Sequence, residues 1–300
     1  MRRLKTKTEP CTAILSGDWH LRETTPMCRT DDFMKFQASV LQQIERIREE
    51  NQCNLILNSG DLFEHWKAPP ELLSFALHHL PEKMEVIYGN HDLPQHNLDK
   101  NDKSGVHVLE LAGKLKILWN HGGHWEQEPN WDKPYIIAGR KVIIWHVMHY
   151  HMDPPWPGAV GYSSDQLLDM CEEHDIDLIL TGHYHRTVHK TRNGRTVFNG
   201  GAITQQTIDQ VDHKPCVGLW NSETNTIRIQ YLMNGKGFIS TEHSDTKKAK
   251  SERYDAFIQR TRALTRPDLD FEENLNTFFH QNETPDNIRR IILDALHGDK

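Results

Sequence analysis

The chain has 300 residues, enough for one large domain with an appendage or for two domains. Its 37% hydrophobic content suffices for a packed core, and no apolar run approaches the ~20 residues of a membrane span, so no membrane partner is expected. A formal net charge of −7 offers no global electrostatic case for nucleic-acid binding, although two divalent cations would make a site locally positive.

Met1 to Pro10 is basic and polar and lacks the apolar core of a secretory signal. Cys11 is the first of five scattered cysteines, with Cys28, Cys53, Cys171 and Cys216, and no Cys-x-x-Cys occurs. That usage fits reduced thiols in a cytosol and argues against a disulfide framework or a thiolate zinc site. Thr12 to Ser16 reads as a strand, and Asp18 and His20 flank Trp19 on the loop beyond it. If this loop stays extended, both side chains point the same way and can reach one ion. A helix is expected over Asp31 to Glu50, with Phe33, Phe36, Val40, Leu41, Ile44 and Ile47 on one face and Thr30 or Asp31 as cap. The next strand, Leu55 to Ser59, ends at Gly60-Asp61, and Pro69-Pro70 opens a helix through Leu80.

Met84 to Tyr88 is a short apolar run closed by Gly89-Asn90-His91-Asp92, three side chains in a row that can bind a metal or move a proton. His96 follows in a polar loop within reach of the same place. Leu115 to Trp119 reads as a strand and Asn120 to Lys133 as a long surface loop. Tyr135 to Ala138 and Lys141 to Trp145 are strands around Gly139-Arg140, and His146 leaves the second ahead of His149 and His151, which makes it the better ligand. A serine-capped helix over Ser163 to His174 precedes the strand Asp177 to Thr181, which ends at Gly182-His183-Tyr184-His185. Asn193-Gly194 marks a hairpin within Thr187 to Phe198, and Val217 to Trp220 with Ile227 to Leu232 complete a second antiparallel set. Strand–helix units followed by hairpins predict an α/β sandwich of two sheets with helices outside.

Composition shifts near Gly235. Residues 1–235 are read as the catalytic domain, 236–251 as a polar linker and 252–300 as a small helical appendage. Its three amphipathic helices carry Tyr254, Phe257 and Ile258, then Phe271, Leu275, Phe278 and Phe279, then Ile288, Ile291, Ile292 and Leu296. They either complete the fold or dock another chain.

Five apolar runs thus end in a carboxylate, imidazole or amide, and in open α/β sheets ligands bind beyond the carboxyl ends of strands. Such a set without thiolates suits Mn²⁺ first, with Fe²⁺, Zn²⁺ or Mg²⁺ as other fits, and holds enough groups for two ions sharing a carboxylate. Two such ions clamp a phosphate and generate hydroxide near neutral pH. His91 can act on the leaving oxygen, and Asp92 either orients the His91 ring or caps a turn. Trp66, Trp125, Trp131 and Trp156 sit in loops, where they can stack on bases or pack the rim.

In this order, Asp18-x-His20, Gly60-Asp61, Gly89-Asn90-His91-Asp92, His146 and Gly182-His183-x-His185 resemble the calcineurin-like metallophosphoesterase superfamily. The resemblance spans residues 12 to 232 and implies a four-layer α/β/β/α sandwich. It implies one metal on Asp18, His20, Asp61 and His185, a second on Asp61, Asn90, His146 and His183, and His91 as the catalytic histidine. Gly60-Asp61-Leu62-Phe63, the Gly-Asn-His-Asp-Leu-Pro run and Asn199-Gly200-Gly201 look most like the SbcD-type DNA-repair nucleases in a compact, bacteriophage-like version. Some of those nucleases carry a histidine where Glu64 stands here, with His65 next. The usual DNA-capping domain is expected to be missing or reduced to the C-terminal helices. That branch implies DNA as substrate, an SMC-like ATPase of the SbcC type docked on the C-terminal helices or a homodimer, and a cytoplasmic setting in a bacterial or phage-infected cell. A phosphodiesterase or phosphatase for nucleotides or phosphoproteins, and a non-catalytic metal-bound scaffold, are the alternatives.

Overall fold

The computed structural model describes residues 12–240, apart from 121 and 126, and residues 271–297. Along the chain, β1 (Ala13–Ser16), α1 (Phe33–Glu50), β2 (Ile56–Asn58), α2 (Pro70–His79), β3 (Met84–Val86), α3 (Gly105–Leu111) and β4 (Leu115–Ile117) form a run of strand–helix units. Then come β5 (Gly122–Gly123), β6 (Tyr135–Ile137), β7 (Arg140–Trp145), β8 (His149–Tyr150), β9 (Tyr162–Ser163), α4 (Ser164–Glu173) and β10 (Leu178–Thr181). Two hairpins close the series, β11 (Val188–Arg192) with β12 (Arg195–Asn199) and β13 (Cys216–Asn221) with β14 (Thr226–Tyr231).

One sheet runs β14-β13-β1-β2-β3-β4, with β1 to β4 parallel and the β13–β14 hairpin antiparallel on the β1 edge. The other runs β11-β12-β10-β7-β5, with β6 antiparallel on β7. The two hairpins therefore extend different sheets instead of forming a set of their own. Strand periodicity explains the layering. Ile14 joins Ile56, Val86 and the apolar faces of α1, α2 and α3, while its neighbours Ala13 and Leu15 meet Val142, Ile144, Leu178 and Leu180 of the opposite sheet. Beyond that sheet, Ile143 and Ile179 pack on Leu167, Leu168 and Cys171 of α4. The result is an α/β/β/α sandwich whose central strands are buried on both faces, which is why they read as unbroken apolar runs.

Several local expectations shift. The cap of α1 is Asp32, whose side chain accepts from Lys35 N, because Asp31 is taken up by the Arg29 guanidinium. Ala138 and Gly139, both with φ in the left-handed region, make the β6–β7 turn, one residue earlier than expected. The supposed surface loop 120–133 contains β5, which inserts beside β7. Glycine is required there: a Cβ at Gly122 would lie 2.6 Å from Ile87 Cγ2 and 2.9 Å from Ile144 O. Cys53 is disulfide-bonded, against the expectation of reduced thiols throughout, whereas Cys28, Cys171 and Cys216 carry free buried thiols.

The chain divides into two units, 1–240 and 241–300. Residues at the start of the expected linker belong to the first: Thr30 N donates to Phe238 O and Ser240 N to Cys28 O. In the second unit, helices span Phe271–Gln281 and Asp286–His297. Arg289 Nε donates to Thr284 O at 2.7 Å and Nη2 to Phe279 O at 3.1 Å, tying the turn between them. Phe279 is buried, while Ile288, Ile291 and Ile292 are exposed. The helix expected around Tyr254, Phe257 and Ile258, and the side chain of Leu296, lie outside the described residues. Among the described residues, no helix is long and apolar enough to cross a membrane.

Candidate metal centre

The parallel strands bring their carboxyl ends to one edge of the sandwich, where every candidate ligand resides. Asp18 and His20 follow β1, Asp61 follows β2, and Asn90 and His91 follow β3. From the second sheet, His146 follows β7 and His183 and His185 follow β10. Ser59 joins the two halves: its Oγ donates to Thr181 O at 2.8 Å, and its carbonyl lies 2.7 Å from His146 Nδ1.

Asp18 and His20 face the site for a different reason than an extended loop. Both are left-handed, with φ of 52° and 46°, and Asp61 and His183 share this at 54° and 74°. Four non-glycine residues in that region store roughly 1–3 kcal/mol each. The surroundings hold them there. Trp19 is buried, with its indole N–H donated to Ser16 Oγ at 3.0 Å, and the two loops run side by side through His20 N to Asp61 O at 2.9 Å and Leu21 N to Leu62 O at 2.9 Å.

Ligand atoms of Asp18, His20 and His185 fall within 4.8 Å of one another, as do those of Asp61, His146 and His183. Asp61 Oδ2 stands between the clusters, 3.6 Å from His20 Nε2 and 3.4 Å from His146 Nε2, and its Oδ1 accepts from His91 N at 2.8 Å. Asn90 Oδ1 lies 3.1 Å from His146 Nε2 and 3.0 Å from His183 Nδ1. The structure thus gathers all seven expected ligands into two groups sharing one carboxylate.

A carbonyl only accepts, so His146 Nδ1 carries a proton toward Ser59, and its Nε2, which faces Asp61 and Asn90, is the candidate ligating nitrogen. Likewise His91 Nδ1 donates to Glu64 O at 2.7 Å, which leaves Nε2 as the ring nitrogen not engaged there. Its ring meets His20 edge-on with centroids 4.7 Å apart.

Asp92 does not orient that ring. Its buried carboxylate accepts from Leu62 N and Phe63 N at 3.0 and 3.1 Å and from Gly89 N at 3.0 Å, pinning the loop after β2 to the loop after β3. The spacing Gly-Asn-His-Asp is a tight turn, and Asp92 points back into it while the His91 ring swings out to Glu64. His96 is exposed, and its ring centroid lies 6.2 Å from that of Trp125, which in turn packs on His183. His149 is buried between Thr181 Oγ1 and Ser164 Oγ, a packing role.

Other supporting groups were not legible as such. Glu64 Oε2 lies 3.0 Å from His20 Nδ1, so one residue holds His20 by its side chain and His91 by its carbonyl. The Gln210 amide meets His185 Nδ1 at 2.8 Å. Trp125 packs over His183, with centroids 4.9 Å apart. Trp131 stacks on His174 at 4.6 Å, Trp66 neighbours His65, and Trp156 is half exposed.

The buried carboxylates and imidazoles shift one another strongly. Burial alone would push His146 and His20 down, but neighbouring carboxylates outweigh it and raise both to about 9, Asp61 chiefly for His146 and Glu64 with Asp61 for His20. Burial also pushes Asp61 upward, yet His146 and His20 hold it well below the usual carboxylate range. Burial, with His146 or His20 beside them, lowers His183 to about 4 and His185 to about 3. Asp18, raised to about 6 by burial, keeps a buried Oδ2 with no hydrogen-bond partner among the described residues. His20 Nε2 and His185 Nε2 approach to 3.0 Å. An orphaned carboxylate oxygen beside two converging imidazole nitrogens, with oxygen and nitrogen donors throughout, fits divalent cations.

The sequence profile of the calcineurin-like phosphoesterase family matches residues 12–187. No curated protein matches the chain. Similar solved structures include a novel archaeal phosphodiesterase, 14% identical over 73% of this chain and 99% of that one, with a TM-score of 0.42. Vps29 of Entamoeba histolytica complexed with Zn²⁺ is 16% identical over 73% of this chain and 97% of its own, with a TM-score of 0.37. TT1561 of Thermus thermophilus is 12% identical over 74% of this chain and 99% of its own, with a TM-score of 0.42. Likeness at this level bears on neither substrate nor mechanism.

Proposed function

The chain belongs to the calcineurin-like phosphoesterase family, and from that membership we propose that it is a two-cation phosphodiesterase acting on DNA, an SbcD-type exo- or endonuclease. The observation that carries the proposal is the pair of donor clusters joined by Asp61, with the free nitrogen of His91 at their edge. Asp18, His20, Asp61 and His185 would hold one cation, and Asp61, Asn90, His146 and His183 the other, with Mn²⁺ as the first fit. When bound, the pair supplies Lewis acidity and a nucleophile from water at neutral pH.

The chain's own residues supply the rest. His91, whose Nδ1–H is held by Glu64 O, presents Nε2–H to a phosphoryl oxygen or gives that proton to the leaving oxygen when its ring is doubly protonated. Asp92 keeps the Asp61 and Asn90 loops in register. Glu64 and the Ser59 carbonyl hold the rings of His20 and His146. Catalysis here is positioning and charge, which suits phosphoryl transfer.

The exposed Ile288, Ile291 and Ile292 on the last helix support docking of an SMC-like ATPase, with the second unit as recognition element. A chain ended near Lys248 is expected to keep hydrolysis of a small diester with Mn²⁺ and to lose co-purification with the ATPase. For the catalytic proposal, a cation-dependent digest compares linear DNA with a chromogenic diester. Cleavage of both is expected. Cleavage of the diester alone would move the substrate to nucleotides, and hydrolysis of neither would overturn the reading.

A further inference from the structure

Beside the cluster of His146 and His183 lies a cleft of about 420 Å³ with Trp125, Trp145, Met148, Val160 and Tyr162 in its lining. The Trp125 ring centroid lies 4.9 Å from that of His183 and 5.9 Å from that of His146, so the ligand rings themselves border the cleft. Trp145, only 5% exposed, and Tyr162 have ring centroids 5.1 Å apart. Trp125 Nε1 is buried without a partner among the described residues, a donor in reserve. The loop that carries Val160 also exposes Met152 and Trp156.

None of these aromatics is needed to assemble the metal ligands, apart from the contact of Trp125 with His183. The cleft's volume falls in the range of small-molecule sites, roughly 300–1,000 Å³. Three of its lining side chains are aromatic, and it shares His146 and His183 with the candidate centre. Whatever fills it lies beside those two rings. Resting on the proposed diesterase reading, we propose that this cleft takes one unpaired nucleobase flanking the scissile phosphate, stacked on the aromatic lining of Trp125 and Tyr162. A base stacked on these side chains has left its own pair, so the preferred substrate is a single-stranded or frayed end.

The test uses the full chain with Mn²⁺ and three probes: dithymidylate, and the two dinucleotides in which the 5′ or the 3′ base is replaced by hydrogen. In each, one P–O ester bond breaks, water supplies the oxygen that joins phosphorus, and the leaving oxygen takes a proton. Base–aromatic stacking predicts that loss of one of the two bases lowers kcat/KM about 5- to 100-fold while loss of the other changes little. Tyr162→Leu should erase the difference and Tyr162→Phe should keep it. Equal rates for all three probes, or equal losses from either base, would overturn the proposal. Should no diester be hydrolysed, the diesterase reading fails, and tryptophan quenching decides the cleft separately. Thymidine 5′-monophosphate should then bind at least about 5-fold tighter than deoxyribose 5-phosphate in the wild type and not in Tyr162→Leu. Equal binding of the two would sink it.

Discussion

Asp92→Asn separates two roles that look alike in the sequence. In the structure its carboxylate satisfies Leu62 N, Phe63 N and Gly89 N and touches no ring. An asparagine can keep its carbonyl on Leu62 and Phe63, but its amide then meets the Gly89 N–H donor to donor. One buried bond is lost and a donor is stranded, which costs about 1–3 kcal/mol. Asp92→Ala strands three donors and opens a cavity, so the loss should be larger, about 3–5 kcal/mol. Urea unfolding of both variants gives these differences from the shift in midpoint at constant slope. Diester hydrolysis measured alongside should fall with the folded fraction and with looser register of the Asp61 and Asn90 loops, in step with the stability loss. If Asp92→Asn is as stable as the wild type yet loses as much activity as His91→Ala, then Asp92 works through the histidine and the reasoning fails.

His91→Ala should retain both cations and lose about 10²- to 10⁴-fold in kcat, checked by metal content and steady-state kinetics on the same sample; an emptied site would make His91 a ligand. Gly89→Ala drives a Cβ into Asp61 Oδ1 and to 2.5 Å from Asp61 N, so it should lose cations and about 1–3 kcal/mol, read by metal analysis and urea unfolding. Burial lowers His149 from 6.5 to about 3, so the unfolded chain binds a proton that the folded chain refuses. Its contribution is complete above pH 6.5 and is lost as pH falls toward about 3, at up to ~1.4 kcal/mol per pH unit. His149→Gln should lower stability at neutral pH yet flatten its acid slope by about one proton, measured by urea unfolding from pH 7 to 4.5.

The chain shows its layers plainly because central parallel strands, buried on both faces, read as apolar runs, and each run ends where a candidate ligand leaves the sheet. Asp18, His20, Asp61, Asn90, His146, His183 and His185 were therefore visible one strand end at a time. Their conformations were not. Asp18 and His20 converge through left-handed backbone imposed by buried Trp19 and the neighbouring loop, which no local pattern announces. Glu64, Ser59, Gln210 and Trp125 act on partners brought in from other strands, so their roles appear only once both sheets are assembled. Gly122-Gly123 hid a strand, since two glycines chosen for close approach carry no apolar signal.

The account rests on two cations shared through Asp61. The most direct measurement titrates Mn²⁺ into chelator-stripped full chain while following hydrolysis of a chromogenic diester. The rate should saturate at two equivalents per chain, and Asp61→Asn should bind fewer ions and stay inactive. Full rate at one equivalent or none, or an active Asp61→Asn, would contradict it.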